Sequence, residues 1–410
     1  MSKKIKVGIV GAGAAGLTAA IYAARFGAEV LLFEQLDRVG KKILATGNGR
    51  CNITNINIDI TRYHGSAPKF ALSALKEFSS KKTIEFFEEL GVYSKVEDLG
   101  KVFPYSDQAS SILDVLRHEL DYLNIKERVN SKVEKVQSKG NGFKIITEEG
   151  AYTVDRVILC TGGKSCQKLG STGIGYKIAK ELGHTIVEPF PALVQLKLDN
   201  KNLKSIKGVK FQGRASVFSG NKKINSYDGE ILYTEYGISG PPILNLSREA
   251  MKVLNEDKPC NIFVDMFREI DYNQLLNILQ NRIKTSHNKS IEFSLVGLIN
   301  KKLIPVILKE AGIEGINRPS KELSNQQIKD ICSILKEWKF NVTGTTGWEF
   351  SQVTAGGVNV KDINPKTMES KIVNGLYFAG EVVDIDGDCG GFNLQWAWSS
   401  AYVAALNAIN

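Results

Sequence analysis

The sequence predicts an α/β fold: a parallel sheet with helices, a three-stranded β-meander as a third layer, and an inserted region made of a β-barrel and a helical part. Three observations predict it. The stretch KVGIVGAGAAGLTAAIYAARFGAEVLLFE, Lys6 to Glu34, reads strand, glycine turn, helix, strand. Near the other end, VNGLYFAGEVVDIDGDCGGFNLQWAWSSAYVAA, Val373 to Ala405, again joins a buried strand to a glycine-rich loop and an apolar helix. Between them lie short alternating segments and then segments of helical period.

Taken in order, Val7 to Val10 is a continuous apolar run, the signature of a buried parallel strand. Gly11, Gly13 and Gly16 fill G-x-G-x-x-G between that strand and a helix from Leu17 to Phe26, which Gly27 ends. A second strand, Glu29 to Phe33, ends at Glu34, 18 residues past the third glycine. Gly11 permits the tight turn, Gly13 lets the backbone approach a pyrophosphate, and Gly16 lets helix and strand pack closely. Gly13, Ala14 and Ala15 lead into a helix whose free N–H groups and positive end hold phosphates. Glu34 accepts from ribose hydroxyls and argues against a 2′-phosphate, so the ligand is FAD or NAD(H).

The next stretch, LATGNGRCNITN from Leu44 to Asn55, has neither period, and its glycines suit close approach to a ligand. NSKVEKVQSKGNGFKIITEEGAYTVD reads as the meander, with turns at Gly140 to Gly142 and Glu149-Gly150. VDRVILCTGGKS, Val154 to Ser165, is a buried strand returning to the crevice at Thr161 and Gly162. Pro189 and Pro191 break the pattern that follows. The domains expected are residues 1–190, first part of the dinucleotide-binding domain; 191–265, inserted barrel; 266–340, inserted helical part; and 341–410, C-terminal part of the first domain. The insert is expected to cover the crevice and form a substrate pocket.

The C-terminal pieces decide between FAD and NAD. A strand at Leu376 to Ala379 followed by Gly380-Glu381 resembles the second flavin motif of glutathione-reductase-like FAD proteins. In those proteins the acid binds the ribityl chain or a hydroxyl near the phosphates, and the next helix points at the flavin pyrimidine edge. Gly391, Phe392, Asn393 and Leu394 open the corresponding helix here. The TGG strand is also of this type, and Val133 is expected to offer its backbone to adenine. The first domain is therefore read as a Rossmann-like FAD-binding domain.

Six motifs together carry a resemblance over nearly the full length: GAGAAG, GKKILATGNGRCNITN, GSTGIGYKIAKELGH, TEYGISGPPILNLS, TAGGVNV and GLYFAGEVVDIDGDCGGFNLQWAWSS. The chain resembles the flavoproteins known as NAD(FAD)-utilising dehydrogenases or aminoacetone-oxidase-like proteins, a family that includes a bile-acid ene-reductase branch. The resemblance implies tightly bound FAD and an insert of barrel and helices. It implies that Gly40 to Asn55 packs along FAD, with Lys41 and Lys42 near the adenosine and phosphates. Gly49, Arg50, Cys51 and Asn52 then lie toward the isoalloxazine, Arg50 pairing with phosphate or a flavin oxygen and Cys51 serving as a small packed residue. Many relatives read S-Y-P-x-T-G-S-T-G-D-G where this chain has Ser165, Cys166, Gln167, Lys168, Leu169 and then GSTGIG, and Cys389 stands where threonine is common. These departures leave the FAD site intact and the substrate open.

Flavin supplies the redox chemistry, so no catalytic side chain is assigned. Thr46, Asn48, Arg50, Thr354 and Asn393 are the polar candidates near flavin, and Tyr236 or Glu235 those from the insert; Arg50, Asn393 and Tyr236 are the catalytic candidates retained. GSTGIG has the wrong spacing for a second dinucleotide site, so NAD(P)H is expected only as a transient reductant. The leading reading is an FAD-dependent oxidoreductase that passes hydride through flavin N5, an NAD(P)H-dependent reductase of a small or medium organic substrate. An O2-using oxidase of aminoacetone or another amine is the alternative. A flavin-bearing nucleic-acid-associated or redox-sensing protein is a further one.

The net charge of +9 comes from scattered lysines with no arginine-rich stripe, which reads as a solvated basic surface rather than a nucleic-acid site. Six cysteines without CxxC and only four histidines give no metal site and fit free thiols. No apolar run is long enough to span a membrane, so a cytoplasmic protein with no membrane partner is expected. Nothing sets an oligomeric state.

Overall fold

The computed structural model describes residues 4–285 and 288–410. Ser286, last residue of the helical pattern read from Tyr272, lies outside them. Two compact units form: Met1–Pro191 with Ser351–Asn410, and Ala192–Phe350. Each has its own apolar core.

The first unit is built on a five-stranded sheet in which every neighbouring pair is parallel. In spatial order it runs Leu376–Phe378, Arg156–Leu159, β1 (Lys6–Val10), β2 (Glu29–Phe33), Glu127–Arg128. Val7, Ile9 and Val10 of β1 are buried, as a central parallel strand requires. Helix α1 (Ala14–Arg25) follows β1. Its buried alanines, Ala15, Ala19, Ala20 and Ala23, let the C-terminal helix Phe392–Ile409 lie close along it. Gly27, at φ +100°, ends α1 because the returning chain needs a left-handed residue there.

The antiparallel meander, Val133–Lys139, Gly142–Thr147 and Gly150–Val154, is a separate sheet. It approaches the parallel sheet at Gly8, where any Cβ would run into Ile145 and Val154. Side chains alternate along a strand, so Val7 and Ile9 face the opposite layer.

The second unit holds a closed six-stranded barrel in the order Leu196–Leu198, Gly237–Ser239, Lys222–Tyr233, Lys210–Ser219, Cys260–Asp265, Trp338–Thr345. Among the described residues four α-helices, Tyr272–Lys284, Ile291–Ser294, Leu303–Glu310 and Asn325–Glu337, lie between the last two strands in sequence. The division at 340/341 read from the sequence falls inside the strand Trp338–Thr345, which is needed to close the barrel. The chain returns to the first unit at Ser351.

Candidate functional site

The site is assembled at the carboxyl ends of the central strands. Register places Val10 opposite both Phe33 and Leu159, and Leu159 opposite Phe378. Four neighbouring strands therefore end level. The next residues continue the ladder: Gly11 N–H donates to Phe33 O at 2.9 Å, Cys160 N–H to Val10 O at 2.8 Å and Ala379 N–H to Leu159 O at 3.0 Å. The glycine turn, Glu34, Thr161-Gly162 and Gly380-Glu381 thus emerge side by side, at the switch point where successive connections leave β1 in opposite directions.

The three glycines of the turn differ in their surroundings. A Cβ on Gly11 would stand 2.6 Å from the Cys160 carbonyl oxygen, and one on Gly16 would overlap the carbonyl oxygen of Gly11. Both are packing requirements. A Cβ on Gly13 would meet nothing within 4 Å. Gly13 is also the N-cap of α1, with no side chain capping the helix and no acid in its first turn. The first-turn N–H groups, Ala14 and Ala15 included, open onto this space. A cradle with a positive helix end and no protein group filling it fits a pyrophosphate.

Glu34 lies to one side, 9% exposed. Its carboxylate accepts from Ala12 N–H and Leu36 N–H, each at 3.0 Å. Burial raises its pKa, and those backbone donors work against the shift. Ser131, whose N–H donates to Glu34 O at 2.8 Å, has a buried hydroxyl without a hydrogen-bond partner. Thr161 has another. The Thr161 hydroxyl packs against Gly175, where a Cβ would overlap it. Val133 is buried at the start of the meander, paired with Thr147.

The opening loop reaches the far end of the same chain. Lys42 Nζ meets Glu381 Oε2 at 2.7 Å, while Glu381 Oε1 accepts from Thr354 N–H at 2.7 Å. Gly380 abuts α1, since its Cβ would stand 2.9 Å from that of Ala15. Asn55 Nδ2 donates to Gly390 O at 2.9 Å, and a Cβ on Gly391 would stand 2.5 Å from Thr54 O and 3.0 Å from Asn52 Oδ1. Gly391 caps the C-terminal helix in a left-handed conformation, again with no side-chain cap and no acid in the first turn. Two uncapped helix starts thus border the site, and each presents free N–H groups.

Several candidates have their polar groups committed within the protein. Arg50 is paired with Glu97, donates to Asp107 at 2.8 Å and lies 4.0 Å over the Phe103 ring. Lys41 is paired with Asp37. Cys51 is fully buried at φ +59°, and burial pushes its thiol up to about 12, which makes it a packed residue. Thr46 donates to Ile43 O at 2.6 Å, and Asn52 Oδ1 accepts from Val102 N–H at 3.2 Å. Asn48 and Gly49 are exposed, left-handed residues of the loop tip. Thr354 Oγ1 accepts from Lys164 N–H at 2.8 Å. Asn393 accepts from Gly387 N–H and donates to Gly387 O, both at 2.8 Å. Phe392 is buried and its carbonyl accepts from Tyr63 OH at 3.1 Å; Leu394 is half-buried. Tyr236 and Glu235 belong to the second unit, where Glu235 pairs with Lys207 at 2.7 Å.

Sequence reasoning passed over the segment Arg62 to Ser66, which is laced to the buried acids Asp384, Asp386 and Asp388. The signal available was DIDGD itself, three acids in alternation beside a glycine loop. Among the described residues no His/Cys/Asp/Glu group is arranged to hold a metal, and no helix is long and apolar enough to cross a membrane.

A parallel sheet with its glycine turn, a meander, and a second uncapped helix at the strand ends define an FAD-binding fold of the Rossmann class. The chain matches the family model described as HI0933-like protein Rossmann domain over residues 5–407. It belongs to that family and is an FAD-dependent oxidoreductase. It is 39% identical over 405 residues to a 3-dehydro-bile acid delta(4,6)-reductase of Clostridium scindens, covering 98% of each chain. It is 32% identical over 406 residues to a ribosomal RNA dihydrouridine synthase of Haemophilus influenzae, covering 97% of each, and 31% identical to that of Escherichia coli, covering 98% of this chain and 97% of the relative. The fold is shared with 3-ketosteroid delta1-dehydrogenase from Sterolibacterium denitrificans, at TM-score 0.51 and 13% identity over 98% of this chain and 99% of the other.

Proposed function

We propose that this protein reduces a carbon–carbon double bond conjugated to a carbonyl, with NAD(P)H as the electron source. The observation that carries the reading is the pair of uncapped helix starts at the level strand ends, one beside the open space at Gly13 and one at Gly391. In this reading α1 holds the pyrophosphate and Glu34 a ribose. Lys42 and Glu381 would hold the ribityl chain, and the N–H groups following Gly391 would meet the flavin pyrimidine edge. When bound, FAD supplies a hydride from N5 with its electron pair. The named chemistries of the relatives support the bond type. A bile-acid delta(4,6) dienone and the C5=C6 bond of uridine are both alkenes conjugated to a carbonyl.

The substrate favoured is a small enone, in keeping with the higher identity to the bile-acid enzyme. The similarity to two ribosomal RNA dihydrouridine synthases supports uridine in RNA as a second reading. The test is anaerobic stopped-flow spectroscopy of the holoprotein. Flavin bleaching by NADH or NADPH is expected, followed by return of the oxidised spectrum on adding a 3-oxo-4,6-diene bile acid. Return only with unmodified ribosomal RNA, lost as salt is raised, selects the second reading. Bleaching by aminoacetone and not by either nicotinamide overturns both.

A further inference from the structure

We propose that His64, held by Asp388 and Arg62, stores and delivers the proton of this reduction. The inference rests on the reductase reading above and adds a residue to it.

The short strand Tyr63–His64 pairs antiparallel with Asp386–Gly387, His64 opposite Asp386. Around that bridge, Asp388 N–H donates to Arg62 O at 2.9 Å and Ser66 N–H to Asp384 Oδ2 at 2.8 Å. The segment 62–66 is therefore fixed, residue by residue, to the segment that ends at Gly391 and starts the C-terminal helix. Asn393, in that helix's first turn, grips Gly387 through both atoms of its amide. His64 is thereby tied to the helix start assigned to the flavin's pyrimidine edge.

The carboxylate of Asp388 is 3% exposed. Its Oδ1 lies 2.7 Å from His64 Nε2 and its Oδ2 lies 3.2 Å from an Arg62 nitrogen. A buried carboxylate left without a cation is costly. Arg62 is a permanent one, so Asp388 keeps a cationic partner independent of His64. Nε2 is committed to Asp388, and Nδ1 has no hydrogen bond among the described residues, while the side chain is 23% exposed. One nitrogen anchored by a buried acid and one without a hydrogen bond among the described residues, on a partly exposed ring, is the arrangement of a proton-transfer histidine. Asp386 stands opposite His64 across the bridge, and the other titratable groups of the two paired segments are the buried Asp384, which accepts from Ser66 N–H, with Tyr63 and Cys389. Burial raises the pKa of the last two, and Tyr63 already donates to Phe392 O.

The step balances as follows. A hydride, drawn ultimately from a dihydronicotinamide, bonds to the β-carbon of the conjugated substrate with its electron pair. The alkene π pair shifts toward the carbonyl oxygen and returns to form an α-carbon–hydrogen bond with the Nδ1 proton. The N–H bond breaks, its pair stays on the ring, and the neutral imidazole takes a new proton from water.

The test is His64→Gln, whose amide preserves the bond to Asp388 and removes the Nδ1 proton. Reduction of the flavin by the nicotinamide should stay within about twofold, while reoxidation by a 3-oxo-4,6-diene bile acid or by uridine-containing RNA falls by about 10²–10⁴. A second readout needs no turnover. In ¹⁵N spectra of the oxidised wild-type protein, the probe that reoxidises it should shift His64 Nδ1 and leave Nε2. Equal slowing of both half-reactions, unchanged reoxidation, or an Nδ1 signal indifferent to the probe overturns the proposal. Wild-type protein that no conjugated carbonyl reoxidises overturns the reductase reading instead.

Discussion

Gly13 and Gly16 sit three residues apart in one turn and face different neighbours. At Gly16 an added methyl collides with the backbone of Gly11; at Gly13 it enters open space, at φ −81°, which any residue adopts. Gly16→Ala should lower the stability of the cofactor-free protein by about 1–3 kcal/mol through overpacking. Gly13→Ala should change that stability by less than about 1 kcal/mol and weaken FAD retention by about tenfold or more. Thermal melts with and without FAD, and the flavin-to-protein absorbance ratio, separate the two. The spacing GxGxxG was legible because the strand, turn and helix that give it meaning are contiguous in sequence. Arg50 was not. Its partners Glu97 and Asp107 lie 47 and 57 residues away, and only the folded chain brings them to the guanidinium. The same distance blindness hid His64 and Asp388, 324 residues apart.

Among the elements, the C-terminal helix depends on a buried amide. Gln395 accepts from Thr54 Oγ1 at 2.5 Å and Thr83 Oγ1 at 3.0 Å, and donates to Phe78 O at 2.9 Å and Ser399 Oγ at 2.8 Å. Gln395→Leu strands several of these groups and should cost at least about 2 kcal/mol by urea unfolding. A second tie joins the helix Ile174–Glu181 to the segment beside Leu376. His184 Nδ1 lies 3.1 Å from Ala179 O and Nε2 lies 2.7 Å from Ser370 Oγ. Ser370 Oγ already accepts from Ile372 and Val373 N–H, so its own proton goes to Nε2 and the ring is held neutral. Burial lowers the pKa of His184 below its ordinary 6.5. The unfolded chain then binds the extra proton more readily, so stability rises with pH across this window. The contribution is complete above about pH 6.5 and is lost as pH falls through the folded value. His184→Gln should flatten the dependence of melting temperature between about pH 5 and 7. The main helices and strands were readable from period, whereas two-residue strands such as Tyr63–His64 carry too few residues to show one.

At the scale of the molecule, two cores in one chain predict two unfolding steps. FAD should raise the transition of the first unit and leave that of residues 192–350 in place, which calorimetry with and without added FAD checks. The start of the insert was visible in Pro189 and Pro191. Its end was not, because the strand Trp338–Thr345 pairs with Leu196–Leu198 and Cys260–Asp265, partners that sequence separation conceals. The division of the first unit into two stretches of chain also fixes an order of events on the ribosome. The barrel unit is contiguous and can fold while translation continues, but the strand Leu376–Phe378 and the helix Phe392–Ile409, which belong to the first unit, are made only after it. The nascent protein passes through an interval with a finished insert and an open, apolar first unit. Exposed apolar surface makes that interval prone to aggregation, and the cradle proposed for FAD exists only once it closes.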